Sequence, residues 1–428
     1  YGIIILCFNS NGSGIMEEKI KVNDEYLVTI LKQDHFGRGI ARIHNMLVFV
    51  ENGLPNDFCK IKITIVKKKY AVSNILEMIT PSPFRKKTEC PYYSVCGGCH
   101  IMHEDYQNQL QFKEQKVHEL LTKFTHLDSI NFFPIVHGKQ FHYRNKVIFH
   151  GSNHKLGFYQ EKTNQVVDIS ECLLIDKDLN TIYNDTLKYI NDYPNSNLTK
   201  VLLRKTSLGE KLVDIEGIIE NNTVLPYLKD VDTIYINHIL VKGKAFITEK
   251  IDDIYFHIFP TSFFQVNYDM MLALYNIVSN FYQDKHYHKV LDLYCGTGTI
   301  GMLISKYVDQ VIGVEVESSS IVSANICKEL NHISNISFLE GKVEDKIDSF
   351  KEIDSIIVDP PRSGLDKYSI QTILSINPKT IIYISCDPVT LARDLSTLLS
   401  NYKILEVHPV DMFPNTYHVE CVCVLKHK

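Results

Sequence analysis

The chain has 428 residues, of which 45% are hydrophobic and 22% are charged, and its formal net charge at pH 7 is −5. This composition is ordinary for a globular protein, and the length allows two to four domains. The negative charge excludes a protein that coats nucleic acid by charge alone, because such proteins are strongly basic, so any contact with nucleic acid must be local.

We expect no targeting signal in the first residues. No apolar run reaches the roughly 18 residues of a membrane span, and the run at residues 3–7 lacks the basic segment of a signal peptide. Met16 resembles a natural start, so we expect residues 1–15 to be an extension outside the fold. We expect a cytoplasmic protein with no membrane partner, and no feature of the sequence indicates an obligate protein partner.

Residues 16–80 are predicted to form a small β-barrel. Five runs of alternating apolar and polar residues, separated by Gly, Asn and Pro, cover residues 26–31, 37–42, 46–50, 59–66 and 70–76. Short strands with such turns predict a closed barrel of the OB type. The pair Gly37-x-Gly39 and the stretch 49–55 resemble the TRAM domain, a small RNA-binding barrel appended to RNA-modifying enzymes.

A group of cysteines lies near the start of the central domain, which we assign to residues 81–258. Cys90, Cys96 and Cys99 lie within ten residues, with two glycines between the last two, so the backbone can fold around one ion or cluster. Cys172 is the candidate fourth ligand. A zinc ribbon would bring a second Cys-x2-Cys pair, which the sequence lacks, so a four-cysteine [4Fe–4S] cluster is favoured and zinc is the alternative.

The rest of the central domain is predicted to be mixed α+β structure that completes an RNA-facing surface. Strands are predicted at 141–149, 156–159, 200–204 and 235–240. Arg144 and Lys146 are expected to meet phosphate. The basic runs 67–69 and 85–87 are either further phosphate contacts or solvated faces. We find no catalytic chemistry between residues 180 and 258.

Residues 259–428 alternate strands and helices in the manner of a doubly wound, Rossmann-like sheet. Strands are predicted at 290–294, 310–315, 335–339, 354–358, 380–385, 403–410 and 418–425. Helices are predicted at 268–282, 317–330, 344–350, 367–375 and 388–399. The last two strands are expected to form an antiparallel hairpin. The predicted fold class is therefore multidomain, with an OB-like barrel, a central α+β domain and a C-terminal α/β domain.

A glycine-rich turn after the first strand of this domain predicts a nucleotide-type cofactor. Gly296, Gly298 and Gly301 have the spacing of a dinucleotide site, and Glu315 ends the second strand, where an acid meets ribose hydroxyls. NAD enzymes share these features. Asp292 favours S-adenosylmethionine, because an acid so close to the turn suits the cationic amino end of methionine and would repel a pyrophosphate.

Asp359-Pro-Pro-Arg362 closes the fourth strand at the same edge of the sheet. Amino-methylating enzymes use a similar turn, followed by an aromatic residue that stacks on the target base. Arg362 takes the aromatic position here, which argues against methylation of an exocyclic nitrogen and favours a carbon acceptor.

Cys386 is the candidate nucleophile. The apolar strand 381–385 precedes it, and Asp387 with Pro388 predicts the start of a helix directly after it. A thiol at the carboxyl end of a parallel strand lies where ligands bind, and the helix N-terminus is expected to favour the thiolate. The alternative is a small residue that fills a strand-to-helix turn.

Six motifs, in one order from about residue 20 to the C-terminus, resemble the RNA uracil-C5 methyltransferase family. They are Cys90-x5-Cys96-Gly-Gly-Cys99, Phe263-Phe-Gln-Val-Asn267, residues 292–301, Asp359-Pro-Pro-Arg362, residues 385–394 and His418-Val-Glu420. Asp387 is a departure, since Asn is common there. The resemblance implies that Cys386 is the nucleophile and Glu420 the base. It implies S-adenosylmethionine binding by Gln265, Tyr294, Gly296, Glu315 and Asp359, and a [4Fe–4S] cluster on Cys90, Cys96, Cys99 and Cys172.

The resemblance also implies a covalent mechanism. A thiolate that adds to C6 of uracil makes C5 nucleophilic, and after methyl transfer a carboxylate removes the C5 proton so that the thiolate can leave. The target uracil must leave its stack, so a loop or a remodelled RNA is expected. Phe263 and Phe264 either stack on bases or adenine, or pack in the core. The barrel and the cysteines favour 23S rRNA as the partner; a tRNA T-loop and a noncatalytic RNA-binding iron–sulfur protein are the alternatives.

Overall fold

The computed structural model describes residues 19–125, 130–343, 345–346 and 350–428. The chain forms two compact units. The first contains the described residues through Tyr93 with Cys99–Gln109 and Asn415–Tyr417, and the second contains Ser94–Gly98, Leu110–Pro414 and His418–Lys428. Within the described residues, no helix has the length and apolar character needed to cross a membrane.

The first unit contains a six-stranded sheet. Its strands are β1 (Glu25–Thr29), β2 (Lys32–Gln33), β3 (Gly39–Ile43), β4 (Met46–Glu51), β5 (Phe58–Val66) and β6 (Tyr70–Thr80). The order is β1-β5-β6-β4-β3-β2, with β4 and β6 parallel and the other neighbours antiparallel. The end strands β1 and β2 are consecutive in the chain, and Ile30 and Leu31 between them donate to carbonyls on either side. The sheet therefore closes into a barrel, which confirms the OB-type prediction.

Asp57 ties the barrel to the segment that follows it. Its buried carboxylate accepts hydrogen bonds from Leu54 N at 2.7 Å and Ser82 N at 2.8 Å, and Arg85 Nη2 lies 2.5 Å from Oδ2. Burial alone would raise the pKa of Asp57, but the bonds from Arg85, Ser82 and Leu54 lower it below its ordinary value. Arg85, a candidate for phosphate contact, is thus held in an ion pair within this unit.

The central part of the second unit is a seven-stranded sheet. Its strands are β8 (Lys146–Ser152), β9 (Lys155–Tyr159), β10 (Val166–Asp168), β11 (Asn197–Lys205), β12 (Lys211–Ile218), β13 (Thr233–Ile236) and β14 (Ile239–Lys242). The order is β10-β9-β8-β11-β12-β13-β14. The helices of this part of the chain are α2 (Lys177–Asp192) and the short α3 (Asn221–Val224), and α1 (Tyr106–Thr125) precedes them, with His118 against Phe132. A separate hairpin pairs β15 (Ile247–Ile251) with β16 (Ile254–Ile258).

The predicted strand at 235–240 is wrong. The segment is not one strand but the end of β13 and the start of β14, joined by a turn at Asn237 and His238, which have φ of 49° and 64°. Two residues in the left-handed region form the tight turn that matches the twist of paired strands. The predicted strand at 141–149 is shorter than expected, since β8 begins at Lys146.

The C-terminal part of the second unit is an eight-stranded sheet of order β19-β18-β17-β20-β21-β23-β22-β7. Its strands are β7 (Asn131–Phe132), β17 (Tyr287–Leu293), β18 (Val308–Glu315), β19 (Ile336–Glu340), β20 (Ser355–Val358), β21 (Thr380–Ser385), β22 (Tyr402–Val410) and β23 (Glu420–His427). The helices are α4 (Tyr268–Gln283), α5 (Thr299–Ile304), α6 (Ser318–Leu330), α7 (Lys367–Ile376) and α8 (Pro388–Leu398).

This sheet confirms the predicted doubly wound topology. The five strands from β19 to β21 are parallel, and β23 runs antiparallel between β21 and β22 as the predicted hairpin requires. The edge strand β7 was not predicted. Residues 344 and 347–349 of the helix predicted at 344–350 lie outside the described residues. Strand order reverses between β17 and β20, and a crevice at the carboxyl ends of such strands is where ligands bind.

Candidate active site

A cavity of about 1470 Å³ lies at the carboxyl edge of the parallel strands. Its walls come from the turns after β17, β18, β20 and β21, from the segment 259–266, and from the start of β23. It brings together all seven residues that the sequence assigned to catalysis and donor binding, namely Gln265, Tyr294, Gly296, Glu315, Asp359, Cys386 and Glu420.

The glycine-rich turn after β17 has the left-handed backbone conformation that glycines favour. Tyr294, Gly296 and Gly298 have φ of 61°, 53° and 74°, so three residues of the turn are in the left-handed region. A Cβ at Gly298 would overlap the ring of Phe338, so only glycine fits that position. A Cβ at Gly301 would lie 2.9 Å from Asp292 Oδ2, which shows how closely α5 approaches β17.

Asp292 is a buried acid whose two carboxylate oxygens differ in their hydrogen bonding. Its side chain is 1% exposed, Oδ2 accepts a hydrogen bond from Gly301 N at 2.9 Å, and Oδ1 has no partner among the described residues. Burial, together with the charges of Asp359 and Glu315, raises the pKa of Asp292 to about 7. An ammonium group in the cavity would satisfy Oδ1, as the sequence argument for a methionine-type cofactor requires.

Glu315 is oriented by backbone N–H groups. Oε2 accepts from Gly296 N at 3.0 Å, and Oε1 accepts from Val316 N at 2.8 Å and Glu317 N at 2.9 Å. These bonds join the end of β18 to the glycine turn after β17. The carboxylate is thus fixed at the place where hydroxyl groups of a ribose would be met.

The segment 259–266 is held by a buried arginine. Arg204 of β11 is 2% exposed and donates from Nη1 to Ser262 O at 3.0 Å, while Asn145 N donates to Val266 O at 2.8 Å. Gln265 is consequently fixed in the cavity wall at 7% exposure. Sequence reasoning missed Arg204, although a charge that ends the apolar run of β11 is a signal for such a role.

The two phenylalanines of this segment differ. Phe264 is 6% exposed and packs with its ring 6.0 Å from that of Phe256, so it belongs to the core. Phe263 is 68% exposed and lines the cavity. Of the two interpretations left open by the sequence, core packing fits Phe264 and an open stacking surface fits Phe263.

Cys386 and Glu420 are placed opposite each other by the sheet. The antiparallel ladder of β21 and β23 pairs Ser385 with Cys421, and the same register extended by one residue pairs position 386 with position 420. Directly opposed residues in such a ladder have Cα atoms about 4.5–5.5 Å apart. Cys386 is half-buried and Glu420 is 4% exposed.

The charges around Cys386 oppose the thiolate in the protein without ligands. Burial and the carboxylate of Glu420 raise the pKa of Cys386 to about 11, and Arg362 opposes this only in part. Any favourable effect of the α8 N-terminus on the thiolate is thus outweighed by burial and by these carboxylates. Asp387 adds negative charge there, and its side chain already accepts the N–H of Val389 at 2.8 Å.

The carboxyl group of Glu420 is a weaker acid than that of an ordinary glutamate. Burial and the charge of Asp359 raise the pKa of Glu420 to about 8, against the effect of Arg362. Burial also raises the pKa of Asp359 to about 7. A carboxyl group whose pKa lies near neutrality is suited to accept and release a proton at physiological pH.

The loop that begins with Asp359 is anchored by α8. Asp394, 1% exposed, accepts hydrogen bonds through Oδ2 from Leu365 N and Tyr383 Oη, both at 2.7 Å. Arg393 donates to Ser363 O at 2.8 Å, and Thr390 Oγ1 donates to Arg362 O at 3.2 Å. The residues that follow Cys386 in its motif thus hold the neighbouring loop in place.

The central sheet also contributes to the cavity, which sequence reasoning did not anticipate. Asp214, Tyr235 and His238 line it. Asp214 interrupts the apolar run of β12 at 5% exposure, and a charge inside such a run was the available signal.

The four predicted metal-ligand cysteines lie outside this cavity, and each is half-buried. Cys96 forms an isolated bridge with Gln160. The backbone of Cys172 is fixed by the side chain of Asn180, which accepts from Cys172 N at 3.0 Å and donates to Cys172 O at 2.9 Å.

Comparisons with known proteins give one answer. The sequence model of the tRNA (Uracil-5-)-methyltransferase family matches residues 230–428, and that of the TRAM domain matches residues 19–76. Proteins named "Uncharacterized RNA methyltransferase" from Bacillus cereus and Clostridium tetani are each 32% identical. The first match covers 96% of this chain and 99% of the relative, and the second covers 95% and 97%.

A solved structure is similar over nearly the whole chain. It is the Pyrococcus abyssi tRNA (uracil-54, C5)-methyltransferase in complex with S-adenosyl-L-homocysteine, which is 27% identical with a TM-score of 0.77 and covers 94% of this chain and 100% of its own. The fold and the cavity are those of an enzyme that transfers methyl groups from S-adenosylmethionine. The chain belongs to the RNA uracil-C5 methyltransferase family, with a TRAM domain at its N-terminal side.

Proposed function

We propose that the protein transfers a methyl group from S-adenosylmethionine to C5 of a uridine in 23S rRNA, giving 5-methyluridine, by covalent addition of Cys386. The observation that supports this is the position of Cys386 and Glu420 in the wall of one cavity, each next to the Ser385–Cys421 pair of the β21–β23 ladder, together with Glu315 and Asp359. A nucleophile and a base therefore share one site with groups suited to a methyl donor.

The proposed reaction consists of addition, methyl transfer and elimination. The Cys386 thiolate adds to C6 of uracil, and the displaced electron pair makes C5 an enolate carbon. C5 then forms a bond to the methyl group. The bond between the methyl group and the donor sulfur breaks, and its electrons stay on that sulfur. Glu420 removes the C5 proton, the C5–C6 double bond forms again, and the thiolate leaves with the electrons of its carbon–sulfur bond.

The electrostatics of the cavity fit these roles. The raised pKa of Glu420, about 8, makes its carboxylate a stronger base than an ordinary glutamate. Arg362 opposes the rise in the pKa of both Cys386 and Glu420, so it stabilises the charged form of each. The thiol proton must leave before addition, and Arg362, which favours the thiolate, supports that step.

We assign donor binding to the domain 259–428, through Gln265, Tyr294, Gly296, Glu315 and Asp359. S-adenosylmethionine supplies the electrophilic methyl group, and the unpartnered Oδ1 of Asp292 suits its ammonium group. We assign RNA contact to the barrel, residues 16–80, and to the central domain, residues 81–258. The TRAM match at residues 19–76 supports the first of these assignments.

We further propose that Cys90, Cys96, Cys99 and Cys172 hold a [4Fe–4S] cluster. Four half-buried thiols suit this cluster, which needs four thiolate ligands. The methyl transfer itself requires no redox step, so the cluster would have a structural role. Zinc is the alternative occupant of a four-cysteine site.

The T-loop of tRNA is the second candidate substrate. The structural relative from Pyrococcus abyssi is a tRNA (uracil-54, C5)-methyltransferase, and its match spans the whole of that chain. Mapping of 5-methyluridine in RNA from cells that lack the protein separates the two. We expect a uridine of 23S rRNA to lose its methyl group and to regain it when the gene is restored. Loss only at the T-loop would replace the rRNA assignment, and an unchanged map of both RNAs would refute the proposed activity.

A further inference from the structure

The cavity extends beyond the groups that the proposed reaction uses. Its volume of about 1470 Å³ exceeds the roughly 300–1,000 Å³ typical of a site for one small ligand. On the side formed by the central sheet it is lined by Asp214 and Tyr235, which are neighbours in the β12–β13 ladder, and by His238. No step of the proposed methyl transfer needs these three residues.

Asp214 has an unsatisfied carboxylate oxygen. The side chain is 5% exposed, and Oδ1 has no hydrogen-bond partner among the described residues. His238 Nδ1 lies 3.5 Å from Oδ2, so the two oxygens differ in their surroundings. An unpaired buried acceptor is unfavourable, and a ligand that donates a hydrogen bond would offset this cost.

Aromatic surface accompanies this acceptor. Tyr235 is half-buried, and its hydroxyl donates to Ala245 O at 2.7 Å, which fixes the ring. Phe263, 68% exposed, lines the same cavity. A hydrogen-bond acceptor beside aromatic rings is the combination with which proteins bind an unstacked nucleobase.

A divalent cation fits the surroundings of Asp214 less well. Its possible co-ligands are Glu216 and His238. Lys200 Nζ already donates to Glu216 Oε1 at 2.6 Å, and His238 Nε2 lies 3.6 Å from the same oxygen. Both ring nitrogens of His238 therefore face carboxylates, and the Lys200 ammonium would repel a metal ion.

We propose that Asp214, flanked by Tyr235, forms a subsite for a second nucleobase of the RNA, one that carries an exocyclic amino group and lies close in sequence to the target uridine. Adenine, cytosine and guanine have such a group. Uracil is disfavoured, because its single ring N–H is flanked by two carbonyl oxygens that a carboxylate repels. The subsite rests on the proposed function, since it selects which uridines enter the cavity.

The test uses a trapping substrate. The probe is a single-stranded RNA library with 5-fluorouridine at its centre and random bases on both sides, incubated with the full-length protein and S-adenosylmethionine. After addition and methylation, C5 carries fluorine instead of hydrogen, so no proton can be removed and the adduct with Cys386 persists. Sequencing the trapped RNA reports the bases that the protein selects.

We expect the wild-type protein to enrich amino-bearing bases over uracil at one flanking position by roughly five- to tenfold. Asp214→Leu, an apolar replacement of similar size beside Leu202 and Leu212, should lose this preference. Asp214→Asn keeps one carbonyl acceptor and should retain part of it. Glu216→Gln removes the next acid on the same face of β12 and should behave as wild type. Unchanged affinity of each variant for S-adenosyl-L-homocysteine confirms that it is folded.

Three results would overturn the subsite. Adducts without any base preference, or with the same preference in Asp214→Leu, refute the role of Asp214 while the proposed function stands. Absence of adducts from the wild-type protein refutes the proposed function, and the subsite with it. Stoichiometric binding of Mn²⁺ that Asp214→Leu abolishes would identify a cation site instead.

Discussion

Burial raises the pKa of four acidic groups that line the cavity. The pKa values of Asp292 and Asp359 rise to about 7, that of Glu420 to about 8, and that of Cys386 to about 11. In the protein without ligands the thiol is therefore protonated at neutral pH. A cationic methyl donor reverses this tendency, because a positive charge favours the ionised form of each acid.

The affinity for the donor should depend on pH. Asp292 and Asp359 are largely ionised above their pKa of about 7 and neutral below it, so a cation binds better at the higher pH. We expect S-adenosylmethionine to bind roughly tenfold more weakly at pH 6 than at pH 8, as measured by calorimetry. Asp292→Asn should flatten the profile. Equal affinity at both values in the wild-type protein would mean that neither acid faces the ligand.

Glu315→Gln should weaken binding of S-adenosyl-L-homocysteine by roughly 1–3 kcal/mol. The amide would pair less well than the carboxylate with ribose hydroxyls, and less well with the backbone N–H groups that donate hydrogen bonds to Glu315. Calorimetry measures the change. Glu329→Gln, at an exposed acid of α6 outside the cavity lining, is the control and should bind normally. If Glu315→Gln also binds normally, the ribose contact lies elsewhere.

Cys386 and Glu420 should fail at different points of the pathway. Cys386→Ala should give neither a covalent RNA adduct nor methyl transfer, whereas Cys327→Ala, at a buried thiol of α6, should retain both. Glu420→Gln should still add to uracil and methylate C5, but the C5 proton stays in place and elimination stalls. The expected product is a complex of protein and methylated RNA that survives denaturing electrophoresis. Wild-type turnover by Glu420→Gln, or 5-methyluridine made by Cys386→Ala, would contradict the assigned roles.

At the scale of the element, α8 supports the site through the 359–365 loop. Asp394→Asn replaces an acceptor of three hydrogen bonds, from Leu365, Tyr383 and Arg393, and should destabilise the fold by roughly 1–3 kcal/mol. We expect it also to slow adduct formation on 5-fluorouridine RNA, because the loop carries Asp359 and Arg362. Asp366→Ala, which removes the N-cap of α7 at a similar cost, should not slow the reaction. Equal rates for the two variants would show that α8 does not position the loop.

Elements with local signals could be predicted from the sequence, and those set by distant pairing could not. Alternation of apolar and polar residues, together with glycine-rich turns, was sufficient to predict the barrel and the succession of strands along the chain from β17 to β23. The two-residue strand β7 exists only through its pairing with Glu406 and Val407 of β22, which no local pattern reveals. The β13–β14 turn was missed because Asn237-His238 replaces the usual glycine-containing pair.

The same distinction holds for the candidate site. Motif residues such as Glu315 and Cys386 lie at the ends of strands. The pattern of apolar residues in the sequence reveals where those strands end. Asp214 reaches the cavity from another sheet, and that placement depends on tertiary structure. The raised pKa of Cys386 could not be predicted for the same reason, since the helix after it is local in sequence but Glu420 and Asp359 are not.

At the scale of the whole molecule, metal content is the most direct measurement. Protein purified without oxygen should be brown and contain about four iron atoms per chain and little zinc. Cys172→Ser should lower the iron content and the melting temperature. Cys59→Ala alters a thiol buried in the barrel and should leave the iron content unchanged. Stoichiometric zinc without iron in the anaerobic protein would refute the cluster.

The first unit is completed by a segment from far along the chain. Asn415 accepts hydrogen bonds from His100 N and Ile101 N, and it exchanges two with the side chain of Gln109, 306 residues earlier. At 5–20 residues per second, a ribosome needs roughly 15–60 s to cover those 306 residues. The first unit therefore cannot form these four hydrogen bonds until residue 415 has been synthesised.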